Sequence, residues 1–248
     1  MVIKAGEFIT NKKTKVKVIA YKDRQDLVTN LDLEIEKNIV NLISNKYPKH
    51  NIISEECGNL QKQSEFTWIF DPLDGTKEYI RDIPLYCSAV SLNYRNKVIA
   101  SAVFDPSLQE LYSASQGNGA FLNNKKIHVS KVNNLADSML FTYLPKDLKT
   151  WDILKNINKH VYRIRGHANH NLSNCWIAKG GYEGHINLYY KTPWWDISPG
   201  FLIILEAGGK VSDIKGNKIN KNNYKDTIIC TNGLIHQKLL KLIMKHNN

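Results

Sequence analysis

The residues in this chain whose types suit chemistry are mostly acidic. Glu55-Glu56 follow an apolar stretch at 51–54, and Asp71-Pro72-Leu73-Asp74-Gly75-Thr76 follows another at 67–70. Asp196 comes directly after Trp194-Trp195, and Asp32 lies early in a long amphipathic segment. Carboxylates carried at strand ends converge readily at one edge of a sheet. A carboxylate set without His or Cys selects a hard cation, Mg²⁺ or Mn²⁺, over zinc. Pro72 fixes a turn after the strand, so Asp71 and Asp74 point to the same side. Gly75 and Thr76 then fall where a helix would begin, and the unpaired N–H groups of a helix start bind phosphate. Thr76 adds a hydroxyl that can orient a water. A cation cluster beside a phosphate cradle suits metal-assisted hydrolysis of a phosphate ester. Residues 71–76 alone would also read as an Asx-type turn with a helix cap. The Glu pair upstream and the Trp-Asp downstream outweigh that reading.

Elements must hold these residues in place. Leu31, Ile35, Ile39, Leu42 and Ile43 recur at helical spacing, which predicts an amphipathic helix over 31–47. Thr29, Asn30 or Asp32 would cap it, and Pro48 ends it. Strands are expected at 51–54 and 67–70, and a hairpin at 86–94 and 98–104 with Arg95-Asn96-Lys97 between its arms. Further strands are expected at 108–114 and 119–122, with turns at Gly117-Asn118 and Asn123-Asn124. The first half thus reads as a helix followed by a mostly antiparallel sheet. The second half alternates. Helices are expected at 147–159, 172–179, 198–207 and 234–245, with strands at 185–190, 210–213 and 227–231. Two sub-domains, 1–140 and 141–248, are the expected organisation.

Several ordered motifs together resemble the inositol monophosphatase superfamily of Mg²⁺-dependent phosphatases, over nearly the whole chain. Asp26-Leu-Val-Thr29-Asn-Leu-Asp32 resembles its D-x-V-T-x-x-D segment, and Tyr47 to Glu56 its YPxHxxxxEE segment. Trp68-Ile-Phe-Asp71-Pro-Leu-Asp74-Gly-Thr76 resembles its WxxDPxDGT signature. Gly117 to Asn123 is similar to its G-x-GAFxN turn, and Trp195-Asp196 with Glu206-Ala-Gly-Gly209 to its C-terminal signature. The resemblance implies an α+β fold, a layered α-β-α-β-α sandwich. It implies that Glu55 and Asp71, with the Leu73 carbonyl, hold one Mg²⁺. Asp71, Asp74 and Asp196 hold a second, and a looser third lies near Glu55 and Glu56. It further implies that Glu55 and Thr76 orient the attacking water, that Asp32 holds the Thr76 hydroxyl, and that Gly75 and Thr76 N–H groups bind the phosphate.

Other positions depart from the pattern. The stretch Val2–Glu7 resembles only the second half of the family's first helix. Lys77-Glu78-Tyr79 resembles relatives that act on adenosine bisphosphates, whereas Asp82-Ile-Pro-Leu-Tyr86 resembles the inositol phosphatases. Tyr189 stands where inositol-specific members carry a Glu, and Lys191 nearby suits a second anionic group. His167 and Asp196 are further expected substrate contacts. A zinc site at His167, His170 and Cys175 lacks a fourth ligand at suitable spacing, and Trp195 is expected in the core beside the metal site. The expected activity is therefore Mg²⁺-dependent hydrolysis of a small sugar or cyclitol phosphate. The alternative is a 3′(2′),5′-bisphosphate nucleotidase.

Composition sets the remaining bounds. The chain has 248 residues with 34 basic against 23 acidic, a formal net charge of +11. That excess suggests nucleic acid, but its arginines are only Arg24, Arg81, Arg95, Arg163 and Arg165, and arginine's fork is what phosphate-backbone readers favour. A non-catalytic nucleic-acid binder is therefore disfavoured, and the charge suits a small anionic substrate. No apolar run approaches the ~20 residues of a membrane span. Cys57, Cys87, Cys175 and Cys230 are scattered, as free thiols in a reducing cytoplasm would be. A homodimer is compatible with these features.

Overall fold

The 17-residue helix that carries Asp32 shows how the chain encodes its layers. The structure, a computed structural model, describes residues 1–11, 17–21, 27–56, 58–166, 169–188, 192–225 and 227–245. Asp26, Cys57, His167, Tyr189 and Lys191 lie outside the described residues. The described helices are α1 (Val2–Asn11), α2 (Asn30–Lys46), α3 (Thr76–Tyr79), α4 (Leu148–Asn158), α5 (His170–Ala178), α6 (Trp194–Glu206) and α7 (His236–Met244). The Thr29 hydroxyl accepts from the Asp32 N–H while the Asp32 carboxylate accepts from the Thr29 N–H, a reciprocal capping box that starts α2. Leu31, Ile35, Ile39 and Ile43 are buried, as their spacing predicts, whereas Leu42 of the same expected set is exposed.

The strands form two large sheets. A two-stranded ribbon of β1 (Val18–Tyr21) and β2 (Leu27–Thr29) precedes them. The first large sheet holds β3 (Asn51–Ser54), β4 (Gly58–Leu60), β5 (Phe66–Asp74), β6 (Cys87–Tyr94), β7 (Lys97–Asp105), β8 (Glu110–Ser115), β9 (Gly119–Leu122) and β10 (Lys125–Ile127). Its order is β10-β9-β8-β7-β6-β5-β3-β4, antiparallel except where β3 runs parallel to β5. The second holds β11 (Met139–Thr142), β12 (Arg163–Gly166), β13 (Gly184–Asn187), β14 (Lys210–Ser212) and β15 (Ile228–Thr231), in the order β12-β11-β13-β15-β14. It is mixed, because β11 pairs in parallel with both β12 and β13.

Strand alternation sorts the side chains into three cores. Val90 and Phe104 point one way, against Ile35, Ile39 and Ile43 of α2 and Val2, Ala5 and Ile9 of α1. Cys87, Ala89 and Val103 point the other way, against Leu172 and Cys175 of α5 and Phe201 and Ile203 of α6. That middle core also takes Val211, Ile228 and Cys230 from the second sheet. The far face of the second sheet, with Ile186 and Ile229, buries Ile153 and Ile157 of α4 and Leu239 and Ile243 of α7. The order α1/α2, sheet, α5/α6, sheet, α4/α7 is the layered α-β-α-β-α sandwich. No helix among the described residues is long and apolar enough to cross a membrane.

Two expected positions shift. Strand β5 does not stop at 70 with a turn behind it; it runs on through Asp74, with an irregular register against β6 between Asp71 and Asp74. In a regular strand residues three apart face opposite sides, and such an irregularity resets the alternation. Helix α6 starts at Trp194 rather than 198, so Asp196 sits inside its first turn, with Pro199 further along.

Candidate active site

Four separate elements bring the acidic residues together. Asp32 comes from the first turn of α2, Asp71 and Asp74 from the end of β5, and Asp196 from the first turn of α6. Glu55 and Glu56 form the turn after β3. Asp32, Asp71 and Asp74 are buried. Burial pushes Asp71 well above the usual carboxylate range, and the charges of Glu55, Asp74, Asp196 and Asp32 push it further. Asp74 is pushed up to about 7, by burial first and by Glu55 and Glu78 as well, against the opposing hydrogen bond from Asn171. Burial raises Asp32 to about 6, opposed by its bonds to Thr29. The charges that act on Asp71 place Asp32, Glu55, Asp74 and Asp196 in its electrostatic neighbourhood.

Short bonds fix the geometry. The Leu73 N–H donates to Asp71 Oδ1 at 3.0 Å. The Thr76 hydroxyl donates to the Leu73 carbonyl at 2.9 Å and lies 3.4 Å from Asp32 Oδ1. Gly75 has φ of +96°, and a Cβ there would stand 2.5 Å from the Leu85 carbonyl oxygen. Only glycine makes this corner without strain. Helix α3 behind it is a single turn, Thr76–Tyr79.

Three supporting residues escape sequence reasoning. Glu36 is fully buried, accepts from the Ser54 hydroxyl at 2.6 Å and from the Glu56 N–H at 2.9 Å, and so holds the Glu55-Glu56 turn. Its signal is its place one helical turn after Asp32 on a buried face. Replacing Glu36 by Ala removes the acceptor of the buried Ser54 hydroxyl and of the half-buried Glu56 N–H and is expected to cost about 1–3 kcal/mol, read as a drop in the denaturation midpoint. Asn169 caps α5 and donates from Nδ2 to the Asp74 carbonyl at 3.0 Å. Asn171 donates from Nδ2 to Asp74 Oδ2 at 3.0 Å and accepts from the Gly200 N–H at 3.2 Å. Their signal is the cluster of Asn at a helix start.

Other candidates take structural places. His170 is buried, 3.2 Å from the Thr192 hydroxyl and stacked on Tyr143, and Cys175 is in the middle core. No zinc-type grouping forms among the described residues. Trp194, rather than Trp195, packs into the core, against Phe201 and Tyr224.

The donor set fits a hard divalent cation on two grounds: it is all oxygen, and its other carboxylates raise the pKa of buried Asp71, which a cation offsets. Among the described residues no three His, Cys, Asp or Glu side chains already stand as a ready-made cage, so the fit rests on donor chemistry and charge.

Comparisons with known proteins agree with the layered fold. The model of the inositol monophosphatase family matches residues 1–248. An inositol monophosphatase of Dictyostelium discoideum is 33% identical, over 96% of this chain and 89% of its own. The Nus factor SuhB of Pseudomonas aeruginosa is 31% identical, over 98% of this chain and 92% of its own. The crystal structure of the extragenic suppressor protein suhB from Bartonella henselae superposes with a TM-score of 0.91 at 29% identity, covering 98% of this chain and 95% of that one. An IMPase/NADP phosphatase complexed with Mg²⁺ and phosphate gives 0.84 at 25% identity, covering 97% and 90%. With its layered fold and its converging carboxylates, the chain belongs to the inositol monophosphatase family.

Proposed function

We propose that the chain is a Mg²⁺-dependent phosphomonoesterase acting on a small phosphate ester. The observation that carries this reading is the set of carboxylates that four elements bring together, with Asp32, Asp71 and Asp74 buried. Glu55, Asp71 and the Leu73 carbonyl would hold one Mg²⁺, and Asp71, Asp74 and Asp196 a second. Glu55 and Glu56 would hold a looser third. The relative complexed with Mg²⁺ and phosphate supports the choice of ion. Bound there, Mg²⁺ supplies positive charge to the phosphoryl oxygens and makes water a better nucleophile at neutral pH.

The chain's own groups supply the orientation. The Thr76 hydroxyl donates its proton towards the Leu73 carbonyl and Asp32, which turns its lone pairs outward to accept from a water. Glu55 accepts the other proton of that water. Gly75 and Thr76 N–H groups donate to the phosphate and set it in line with the attack. Asp32 is a positioning residue, held by its capping box to Thr29.

The test is phosphate release by EDTA-stripped protein before and after Mg²⁺ is restored. The panel is inositol 1-phosphate, fructose 1,6-bisphosphate, histidinol phosphate and adenosine 3′,5′-bisphosphate. Release from at least one ester only with Mg²⁺ is expected; no release from any overturns the reading. The formal net charge of +11 leaves a separable second reading, nucleic-acid binding, which the short list of arginines disfavours. It predicts affinity that falls steeply with salt and is indifferent to Asp71→Asn.

A further inference from the structure

Helices α4 and α7 form one outer layer of the sandwich, side by side on the far face of the second sheet. Each buries one stripe: Thr150, Ile153, Leu154 and Ile157 on α4, and His236, Leu239, Leu240 and Ile243 on α7. A helix face repeats every three or four residues, so the opposite stripe of each helix points away from the sheet. On α7 that stripe is Lys238, Lys241 and Lys245, all exposed. On α4 it is Leu148, Asp152, Lys155 and Lys159, with Lys149 on one flank and Trp151 on the other, all exposed. The outer face therefore sets six lysines against one aspartate.

Helix physics alone does not account for this charge. Lys159 and Lys245 stand at helix C-termini, where a cation is favoured. Lys149 and Lys238 stand in first turns, where a cation is disfavoured. Lys238 and Lys241 are three apart, and the pairs Lys241 with Lys245 and Lys155 with Lys159 are four apart, spacings at which like charges repel. Only Lys149 and Lys155 have an acidic residue at such a spacing, and it is the same one, Asp152. The helices of the opposite outer layer are built otherwise: Glu7 follows Lys4 by three on α1, and Lys37 follows Glu34 by three on α2. Among the described residues no carboxylate forms an ion pair with any of the six lysines.

The face carries apolar groups as well. Leu148 is 82% exposed, more than any other large apolar side chain among the described residues, and Trp151 three residues on is 43% exposed. Leu148 begins the stripe that Lys155 and Lys159 continue, so a surface that meets those lysines also meets Leu148. Charge disfavours a second copy as the partner, because a two-fold contact would set this basic face against itself. Nucleic acid is matched best by arginine forks and rows of stacking rings, and α4 and α7 carry no arginine. An anionic bilayer asks for what is present: diffuse positive charge, lysine stems that lie along an apolar boundary, and a Leu or Trp that enters it.

We propose that the α4/α7 face is a peripheral docking surface for an anionic lipid bilayer, with Leu148 and Trp151 entering the headgroup boundary and the lysines meeting the acidic headgroups. The chain lies on such a surface and does not cross it. The inference is independent of the phosphatase reading.

Co-sedimentation of the full chain with vesicles tests it. Vesicles of phosphatidylcholine with about one-third phosphatidylglycerol are compared with phosphatidylcholine alone. The chain is expected to bind the first and not the second, and the affinity to fall at least about tenfold between about 50 mM and about 500 mM salt. Lys155→Gln with Lys241→Gln, one exposed lysine from each helix, is expected to weaken binding by at least about tenfold. Leu148→Ser is expected to weaken it about threefold or more without changing its salt dependence. Lys4→Gln with Lys37→Gln removes the same charge from the opposite layer and is expected to leave the affinity within about twofold. Circular dichroism checks that each variant is folded. A parent that ignores anionic vesicles overturns the proposal, as does full binding by the Lys155/Lys241 variant. Equal loss in the Lys4/Lys37 variant also overturns it, because net charge rather than this face then acts. Tighter binding to a single-stranded oligonucleotide than to the anionic vesicles, lost in the Lys155/Lys241 variant, assigns the face to nucleic acid instead.

Discussion

Replacing Asp74 by Asn is expected to lower Mg²⁺-dependent kcat/KM by at least about 10³-fold, while the metal-free protein melts no lower than the parent. The two halves of that result have one cause. Asp74 is buried, and burial with the nearby charges of Glu55 and Glu78 pushes its carboxyl up to about 7. An acid whose pKa is raised in the folded state binds its proton more tightly folded than unfolded. Ionising it then costs stability as pH climbs from the ordinary carboxylate value of 3.8 towards 7. An amide has no such cost. In EDTA the variant and parent should therefore match near pH 4, and the variant should melt several degrees higher by pH 8. Bound Mg²⁺ offsets the same cost in the parent, so adding it should raise the parent's midpoint and move the variant's far less. A variant that melts lower than the parent at pH 8 in EDTA would count against the crowded-charge account. Full retention of activity would sink the role of Asp74.

The second large effect is expected at Asn171. Its amide joins the two halves of the site: Nδ2 holds Asp74 Oδ2, and Oδ1 takes the Gly200 N–H of α6, the helix that carries Asp196. The reach depends on how closely α5 and α6 approach. A Cβ on Gly200 would come within 2.7 Å of Asn174 Cβ. Asn171→Leu keeps the forked outline of the side chain, though it is bulkier, and removes both hydrogen bonds. It is expected to weaken Mg²⁺ binding by about 10–100-fold, as loss of a group that orients a metal ligand does. Isothermal titration with Mg²⁺ reads this without any turnover, and circular dichroism checks that the variant is folded. An affinity within twofold of the parent would show that Asp74 is held without Asn171.

How much of this is legible before folding varies with the residue. The capping box of α2 is readable, because Thr29 and Asp32 stand three apart ahead of an apolar stripe. The hairpin β6–β7 is readable too: Arg95 and Asn96 take positive φ at its tip, as a two-residue turn demands. Strands β11 and β12 are not. Met139–Thr142 is too short to show a period, and Arg163–Gly166 is an edge strand with mostly exposed side chains. Their pairing is parallel and non-local, so nothing beside them in the chain announces it. The acidic residues of the set are legible by type, and Glu55, Glu56, Asp71 and Asp74 by their place at strand ends, whereas Asp32 and Asp196 come from helix starts. Glu36 and Asn171 are not legible, because each acts by reaching across from a different layer, and sequence distance hides such contacts. The bend in β5 is hidden for a related reason. Pro72 suggests that the strand stops, whereas the pairing with β6 resumes at Asp74 and Cys87.

That last pairing gives the site a built-in clock. Cys87 is fully buried, with Sγ 3.8 Å from Asp74 Oδ2, and burial together with that carboxylate pushes its thiol far above the ordinary value. A thiol held protonated out of solvent reacts with a labelling reagent only when the layer above it parts. The rate at which Cys87 is labelled, resolved from the other cysteines by mass spectrometry, therefore counts how often the α5 layer lifts from the carboxylates at the end of β5. Ligands that draw them together should slow that count, and no foreign probe is needed to follow it.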